Sequence, residues 1–334
     1  MDLSLIWAGL IAFAVLAYVV LDGFDLGVGI LFSAEREAGA RDVMVNSVAP
    51  VWDGNETWLV LGGGGLFAVF PLAYATVMPA LYPVIIGMLL SLIFRGVAFE
   101  FRFRARSARG RLAWDGAFML GSGGAAFCQG LALGGLVQGI KVANGAYAGG
   151  WWDWLTGFSI LCGIALVVGY ALLGATWLVW RTEGELQARC RLYARALGVA
   201  TLALIVVVSL WTPMLHPRFS ERWFGWPGIL LTSPVPILVA LLAWRFWRGL
   251  QRGEEVAPFL CALGWFVLCY AGLGISLFPL MVPPDVTIWQ AAAPPATQEF
   301  LLAGAAVLIP IILAYTAHAY GVFRGKVRAG AHYH

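Results

Sequence analysis

Residues Val51–Phe70 read VWDGNETWLVLGGGGLFAVF, a segment apolar enough to enter a membrane although it opens with Asp53, Asn55 and Glu56. Acidic side chains inside a membrane segment are costly and usually face a protein interior or water. The four glycines that follow, Gly62–Gly65, let another backbone approach closely. The segment therefore predicts a membrane helix that carries both proton-binding groups and a tight packing seam.

A second segment repeats the same combination nearer the start of the chain. Leu21–Ile30 reads LDGFDLGVGI, in which Asp22 and Asp25 precede two further glycines. Acids three residues apart lie on one face of a helix. Because Asp25 is well inside its apolar run, it cannot be explained as the cap of a helix end.

The composition of the whole chain indicates a membrane protein. Of its 334 residues, 61% are hydrophobic and only 12% are charged, about half the charged fraction of a soluble protein. Lipid allows only helices or closed barrels to span it, so the apolar runs predict helices and an all-α polytopic membrane protein. Nine transmembrane helices are expected, at Leu3–Phe32, Trp52–Phe70, Thr76–Phe99, Leu112–Val137, Trp154–Trp180, Ala194–Trp211, Pro227–Trp247, Val256–Leu280 and Phe300–Val322.

The basic residues predict the orientation of these helices. All but three of the 21 Lys and Arg residues lie at or after the ends of odd-numbered spans, and the exceptions are Lys141, Arg218 and Arg222. Basic loops are retained in the cytoplasm, so we expect the N-terminus in the periplasm and the C-terminus, including Arg328, in the cytoplasm. The net charge of +3 then reflects orientation in a lipid bilayer and gives no reason to expect nucleic acid as a partner.

In this orientation the charged residues of the first four spans meet near the cytoplasmic face. They are Asp22, Asp25, Asp53, Glu56, Arg95 and Asp115. One arginine cannot neutralise five carboxylates, so some of these acids should hold protons. The group is suited to taking up protons from the cytoplasm. We expect Trp52, Asn55 and Trp58 to support it.

Simpler interpretations exist for several of these residues. Asp53 and Asp115 each follow a Trp at a predicted helix start, where an Asp caps free N–H groups. Asp53 with Glu56 three residues later also fits a capping box. Arg95 could extend its side chain to the membrane surface.

Histidines are too few to hold a haem between helices. His318 is the only one inside a predicted span, and haem-binding bundles need axial His, Met or Cys ligands. We therefore expect no haem, no metal and no catalytic residue in this chain. It either moves protons or another small cation, or supports a partner that performs the chemistry.

Several motifs closely resemble subunit II of cytochrome bd-type ubiquinol oxidases. They are DGFDLGVG at 22–29, NSVAPVWDGNETW at 46–58, FAVFPLAYA at 67–75, FRG at 94–96 and WD at 114–115. The resemblance covers essentially all spans. The segment 144–155, NGAYAGGWWDWL, is similar to the cyanide-insensitive branch of the family. Glu56 stands where some members carry Gln.

The resemblance implies two four-helix bundles, at 1–138 and 139–283, followed by one peripheral helix and a tail at 284–334. It implies a haem-bearing subunit I as partner, with two b-type haems and haem d or a substitute. Some members hold a structural quinone in subunit II, and a small single-span accessory subunit is a further possible partner. The complex oxidises quinol, reduces oxygen to water and generates a proton motive force in the bacterial inner membrane.

Two other classes of function are compatible with the acids themselves. A stand-alone proton-coupled transporter would use the same residues, but it usually binds substrate near the midplane at broken helices in both halves. No paired breaks are evident in the two halves of the sequence, and Pro310 alone is not a pair. A purely structural scaffold would need no acid at Asp25.

Overall fold

The structure, a computed structural model, describes residues 2–327 and is built almost entirely of helices. The helices are α1 (Leu3–Leu31), α2 (Ala38–Val48), α3 (Trp52–Val69), α4 (Pro71–Ala80), α5 (Tyr82–Arg104), α6 (Ala108–Gln138), α7 (Gly157–Arg181), α8 (Gly184–Leu215), α9 (Pro217–Phe224), α10 (Gly228–Thr232), α11 (Pro234–Gln251), α12 (Ala257–Leu277), α13 (Ile288–Ala291) and α14 (Pro295–Val322). Two small antiparallel hairpins pair β1 (Val142–Ala143) with β2 (Ala146–Tyr147) and β3 (Leu280–Val282) with β4 (Val286–Thr287).

The prediction of an all-α polytopic membrane protein is confirmed. Within residues 2–327, eight helical spans are long and apolar enough to cross a membrane, and α3 with α4 forms a ninth if that bent pair counts as one. The prediction was wrong about the ends of this pair. The second span was expected to end at Phe70 and the third to begin at Thr76. Instead, α4 lies between them and is bent by 119° relative to α3.

Proline chemistry explains the bend between α3 and α4. Phe70 has non-helical dihedral angles, φ −124° and ψ 62°, and Pro71 is the first residue of α4. The residue before a proline is driven out of the helical region, and proline itself has no N–H to continue the ladder. The third span therefore begins at Tyr82, six residues later than expected.

The short helix α2 was not predicted. It has 11 residues, too few to cross a bilayer, and polar side chains interrupt its apolar ones. Its buried side chains include Val43, Met44, Val45 and Val48, which join the core around α1 and α7. It occupies what the hydropathy pattern indicates as a loop between the first two spans.

Helix α1 lies at the centre of the packing, in contact with α3, α6, α7, α12 and α14. Its closest crossing is with α7, where a Cβ on Gly27 would overlap the backbone of Tyr170 and Gly174. The glycine run of α3 behaves differently. A Cβ on Gly63 or Gly64 would meet nothing within 4 Å among the described residues, so the predicted tight seam is wrong for these two glycines within this chain.

The contact between α1 and α7 crosses the boundary expected between 138 and 139. Helix α7 also packs against α6, α8 and α12, and α14 touches α1 and α3. The division into two four-helix bundles and a peripheral helix stays a prediction. Arg328 and the remaining residues of the tail lie outside the described residues.

Candidate functional site

Helices α1, α3 and α5 bring four charged side chains together. Asp22 and Asp25 lie three residues apart on α1, and Arg95 comes from the middle of α5; the side chains of all three are 0% exposed. Glu56 reaches the same place from α3. Because Arg95 is fully buried, the interpretation that its side chain extends to the membrane surface is excluded.

The guanidinium of Arg95 holds two of the carboxylates directly. Nη2 donates to Asp22 Oδ1 at 2.7 Å, and Nη1 donates to both Asp22 Oδ2 at 3.2 Å and Glu56 Oε1 at 2.7 Å. Asp25 lies farther away, with Oδ2 at 4.0 Å from Nη2. We call Arg95, Asp22, Asp25 and Glu56 the Arg95 cluster. It contains three acids and one base.

Asp25 is held by an amide and not by the arginine. Asn55 Nδ2 donates to Asp25 Oδ2 at 2.6 Å and to the Leu21 carbonyl at 3.2 Å. The hydroxyl of Tyr320, on α14, donates to Asn55 Oδ1 at 3.1 Å. Asp25 Oδ1 is buried and has no hydrogen-bond partner within residues 2–327. One carboxyl oxygen of the cluster is therefore free to carry or accept a proton.

Aromatic rings form one wall of the cluster. Trp52 stacks on Phe99 with ring centroids 4.7 Å apart, and the Arg95 guanidinium lies 5.9 Å and 5.7 Å from these two rings. Trp58 is buried six residues further along α3, edge-on to Phe13 at 5.5 Å. Of the three residues expected to support the site, Asn55 touches Asp25 and Trp52 lies beside Arg95, whereas Trp58 packs in a neighbouring apolar core with Tyr18.

The structure corrects the placement of Asp115. Its Oδ1 accepts from Arg102 Nε at 2.5 Å and its Oδ2 from Arg41 Nη1 at 2.8 Å. Asp42 accepts from Arg102 Nη1 at 2.6 Å and from Arg111. We call these five residues the Arg102 cluster.

Helical geometry explains why the charges divide into two clusters. Arg102 follows Arg95 by seven residues on α5, which puts it on the same side of the helix about 10 Å further along. Asp115 lies in the second turn of α6, beside this more distant arginine, and the cap of α6 is Ser107. The expectation that five acids share one base, and that Asp115 caps a helix, was therefore wrong.

The structure also corrects the role of Asp53. Its side chain is exposed and forms no ion pair within the described part of the chain. Helix α3 starts at Trp52 with no side-chain cap, and Glu56 binds Arg95, so the capping box is wrong. Asp53 stands outside the cluster, three residues before Glu56 on the same helix.

The sequence did not reveal a chain of tyrosines and an amide beside Asp22. Tyr18, one turn before Asp22, lies within hydrogen-bonding reach of that carboxyl. Gln129 Nε2 donates to the Tyr18 hydroxyl at 2.6 Å, and the Tyr170 hydroxyl donates to Gln129 Oε1 at 3.0 Å. Spacing on α1 could have indicated Tyr18, whereas Gln129, Tyr170 and Tyr320 come from helices remote in sequence.

The Arg102 cluster is fixed as ion pairs. Burial alone would raise the pKa of Asp42, but hydrogen bonds from Arg111 and Arg102 outweigh it and lower that pKa from its usual value. Asp42 lies on α2 and Asp115 on α6, so the arginines tie the short helix to two spans. Chemically, this cluster joins helices and holds its carboxylates in ion pairs.

Both clusters consist of Arg, Asp and Glu side chains and contain no His, Cys or Met, the residues that serve as axial haem ligands. Within residues 2–327, no group of three His, Cys, Asp or Glu side chains is placed to hold a metal ion. His318 is exposed on the surface of α14. The fold and the Arg95 cluster define a polytopic membrane protein with a protonatable, arginine-centred site inside its helices.

Comparison with known proteins identifies the family. Residues 3–323 match the model of cytochrome bd terminal oxidase subunit II, and the chain belongs to this family. It is 31% identical over 367 residues to cytochrome bd-I ubiquinol oxidase subunit 2 of Escherichia coli (strain K12), covering 97% of this chain and 95% of the relative. It is 29% identical over 332 residues to cytochrome bd ubiquinol oxidase subunit 2 of Bacillus subtilis (strain 168), with 96% of each chain covered.

A solved structure supports the fold independently. A chain of the bd oxidase from Geobacillus thermodenitrificans aligns with a TM-score of 0.75 at 15% identity, covering 97% of this chain and 99% of that one. The predicted resemblance is thus confirmed, and the chain is a multi-pass bacterial inner-membrane protein of the respiratory oxidases. The relatives do not favour a stand-alone transporter. Assignment to the cyanide-insensitive branch stays a prediction.

Proposed function

We propose that this chain is the haem-free second subunit of a quinol-oxidising, oxygen-reducing complex, and that its Arg95 cluster takes up protons from the cytoplasm. The supporting observation is the surplus of acid. Three carboxylates surround one buried guanidinium, and Asp25 lies 4.0 Å from it with a free oxygen. A low-dielectric site with fewer cations than carboxylates favours bound protons. Oxygen reduction consumes protons, so such a site can supply them.

The partner in this proposal is a haem-bearing subunit I with b-type haems and haem d or a substitute. Electron transfer, quinol oxidation and oxygen chemistry belong to that subunit. The residues of this chain bind, hold and release protons at carboxyl oxygens, and they position helices against the partner. Asp53 is exposed on the α3 surface and is the outermost acid of the proposed path.

The experiment that tests proton uptake is Asp25→Asn in the whole complex. An amide can keep the hydrogen bond with Asn55 through its oxygen but cannot bind a proton in the normal range. We expect oxygen turnover to fall about tenfold or more while quinol still reduces the haems. The matched control is Glu100→Gln, which removes an exposed acid of α5 that pairs only with Arg104 in the described residues.

Haem content separates proton uptake from a scaffolding role. If Asp25→Asn assembles with full haem content and turns over oxygen normally across pH, the proposal is wrong for this residue. If haem and activity are lost together, Asp25 is structural, and the chain is chiefly a scaffold for its partner's haems.

Orientation is tested by labelling. We propose that the N-terminus is periplasmic and the C-terminus cytoplasmic. A membrane-impermeant maleimide should then modify Arg106→Cys only in inside-out vesicles and Lys141→Cys only in right-side-out vesicles, because basic loops stay inside. Both side chains are exposed in the chain itself. The opposite pattern would place the acid cluster on the periplasmic side and exclude uptake from the cytoplasm.

We also propose that this subunit holds a structural quinone, as the resemblance implies. A cleft of about 380 Å³ beside the α6–α7 connection is lined by Tyr147, Trp152, Trp154 and Lys141. Its volume and aromatic lining fit a quinone ring, and the lysine could donate to a quinone oxygen. Solvent extraction and quantification of quinone per complex test this, with Trp152→Ala expected to lower the yield. A small single-span accessory subunit stays a prediction.

A further inference from the structure

The three acids of the Arg95 cluster differ in their access to the outside. The side chains of Asp22 and Asp25 are 0% exposed, whereas that of Glu56 is 25% exposed. A buried carboxyl can exchange its proton only through groups that can themselves bind and release one. The neighbours of the two aspartates therefore decide how protons reach them.

One hydrogen-bonded route leads from Asp25 to α14 and is interrupted by an amide. Asn55 donates to Asp25 with its nitrogen and accepts from Tyr320 with its oxygen. The two functions of an amide lie on different atoms, and neither atom exchanges a proton easily near neutral pH. A small cleft of about 10 Å³ borders Asn55 and Tyr320, but it ends at this amide.

A second route leads from Asp22 to α7 and is interrupted in the same manner. Tyr18 reaches Asp22, and Gln129 donates to Tyr18 while it accepts from Tyr170. The amide of Gln129 thus stands between the two hydroxyls. Protons on Asp22 cannot pass through it towards the interior of the helix bundle.

Glu56 provides the remaining connection between the buried aspartates and the outside of the helices. Its Oε1 and Asp22 Oδ2 both accept from the same nitrogen, Arg95 Nη1, so the two oxygens lie within two hydrogen-bond lengths of each other. The groups that face Glu56 are Asp22 of α1, Asp53 of α3 and Arg95 of α5. Of these, Arg95 cannot release its proton in a protein.

We infer that Glu56 is the port through which the buried aspartates exchange protons, and that Asn55 and Gln129 insulate them on the other two sides. This inference rests on the proposed role in proton uptake. In each step a proton leaves the Glu56 carboxyl for Asp22 Oδ2, directly or across one water, and Glu56 regains a proton from the exposed α3 surface. The carboxylates change only their bound protons.

The test measures exchange at the buried carboxyls and does not depend on turnover. In the anaerobic, purified complex, infrared spectroscopy follows the hydrogen–deuterium shift of the protonated carboxyl bands after transfer to D₂O, with Asp25→Asn and Asp22→Asn assigning the bands. We expect Glu56→Gln to slow exchange at least tenfold. The Gln oxygen still accepts from Arg95, so the cluster should stay folded. Exchange at the unaltered rate in Glu56→Gln overturns the inference. Glu100→Gln is the control that leaves it unchanged.

A second variant tests the insulating amides. Adding Asn55→Asp to Glu56→Gln places a carboxyl between Tyr320 and Asp25 and should restore fast exchange. If the double variant keeps full haem content and exchange stays slow, Asn55 is not an insulator and the inference fails. Failure of the proposed function has a different signature, namely normal oxygen turnover in Asp25→Asn, whatever the exchange rate in Glu56→Gln.

Discussion

The Arg95 cluster and the Arg102 cluster are built on one face of the same helix, seven residues apart, yet their charges are balanced differently. In the first, one guanidinium faces three carboxylates, and one oxygen of Asp25 has no partner within residues 2–327. In the second, Arg41, Arg102 and Arg111 form ion pairs with Asp42 and Asp115 alone in the described part of the chain, residues 2–327. A surplus of acid leaves protons to be moved, whereas a surplus of base leaves every carboxylate fixed in an ion pair.

The largest expected effect comes from removing the base of the acid-rich cluster. Arg95→Leu leaves Asp22 and Glu56 without their cation inside the helices, which costs about 3–5 kcal/mol when one partner of a buried pair is lost. We expect loss of assembly and haem, measured by spectra and thermal unfolding of the purified complex. Arg104→Leu, on the same helix but 71% exposed, should change the stability by less than about 1 kcal/mol. Equal losses of stability in Arg95→Leu and Arg104→Leu would show that the buried arginine contributes no more than the exposed one.

Within the Arg95 cluster, the two aspartates should respond unequally. Asp22→Asn weakens two charge-assisted hydrogen bonds and is expected to cost about 1.5–3 kcal/mol. Asp25→Asn, 4.0 Å from Arg95, should cost about 1 kcal/mol or less while it reduces turnover more. Melting temperature and oxygen consumption, measured on the same preparations, test whether Asp22→Asn loses more stability and Asp25→Asn more turnover. An Asp25→Asn complex that unfolds as easily as Asp22→Asn would show that both acids are structural.

A smaller effect is expected at the glycines. Gly27→Ala pushes a methyl group into the backbone of α7, one turn from the cluster, and overpacking of this kind costs about 1–3 kcal/mol. Gly63→Ala, which meets open space, should leave the folding of this chain unaffected. Melting curves of the two variants compare the α1–α7 crossing directly with the glycine run of α3. If Gly63→Ala lowers the melting temperature as much as Gly27→Ala, the α3 glycines pack against something outside this chain.

The smallest effect concerns the base-rich cluster and pH. The pKa of Asp42 is lowered in the folded chain, so its contribution is complete above the unfolded value of 3.8 and is lost as pH falls below it through the folded value. Because Asp42 is 35% exposed, solvent screening limits this to about 1 kcal/mol or less. Asp42→Asn should flatten the fall in melting temperature below pH 4. If the melting temperature of Asp42→Asn falls below pH 4 as steeply as that of the unaltered protein, Asp42 contributes nothing to this loss of stability.

The sequence predicted the membrane class, most spans and the residues of the Arg95 cluster, for physical reasons that act locally. Apolar runs identify spans because lipid penalises exposed polar groups. Asp25 was identifiable because an acid in mid-helix needs a partner. The bend at Phe70–Pro71 was missed although the proline was visible, since hydropathy averages over a window and takes no account of backbone dihedral angles.

What the sequence could not supply was the pairing of distant side chains. Arg41 and Asp42 lie in a segment with no span, and nothing local indicates that Arg41 meets Asp115 or that Asp42 meets Arg102. Depth along the membrane placed Asp115 near Arg95, but only the register between α5 and α6 shows that Arg102 is its partner. Tyr320 meets Asn55 across 265 residues, which no spacing rule can anticipate.

The polar start of α3 has a consequence for how the protein is made. Helix α3 is long and apolar enough to cross a membrane only together with α4, because its acids, amide and glycine run offset its apolar half. A nascent chain therefore reaches the insertion machinery with one span that is less apolar than the others. Helix α1 has already been synthesised at that point, and α5 follows with the arginine. We expect stable insertion of α3 to depend on these neighbours, so that the charges of the finished complex also constrain how it is made.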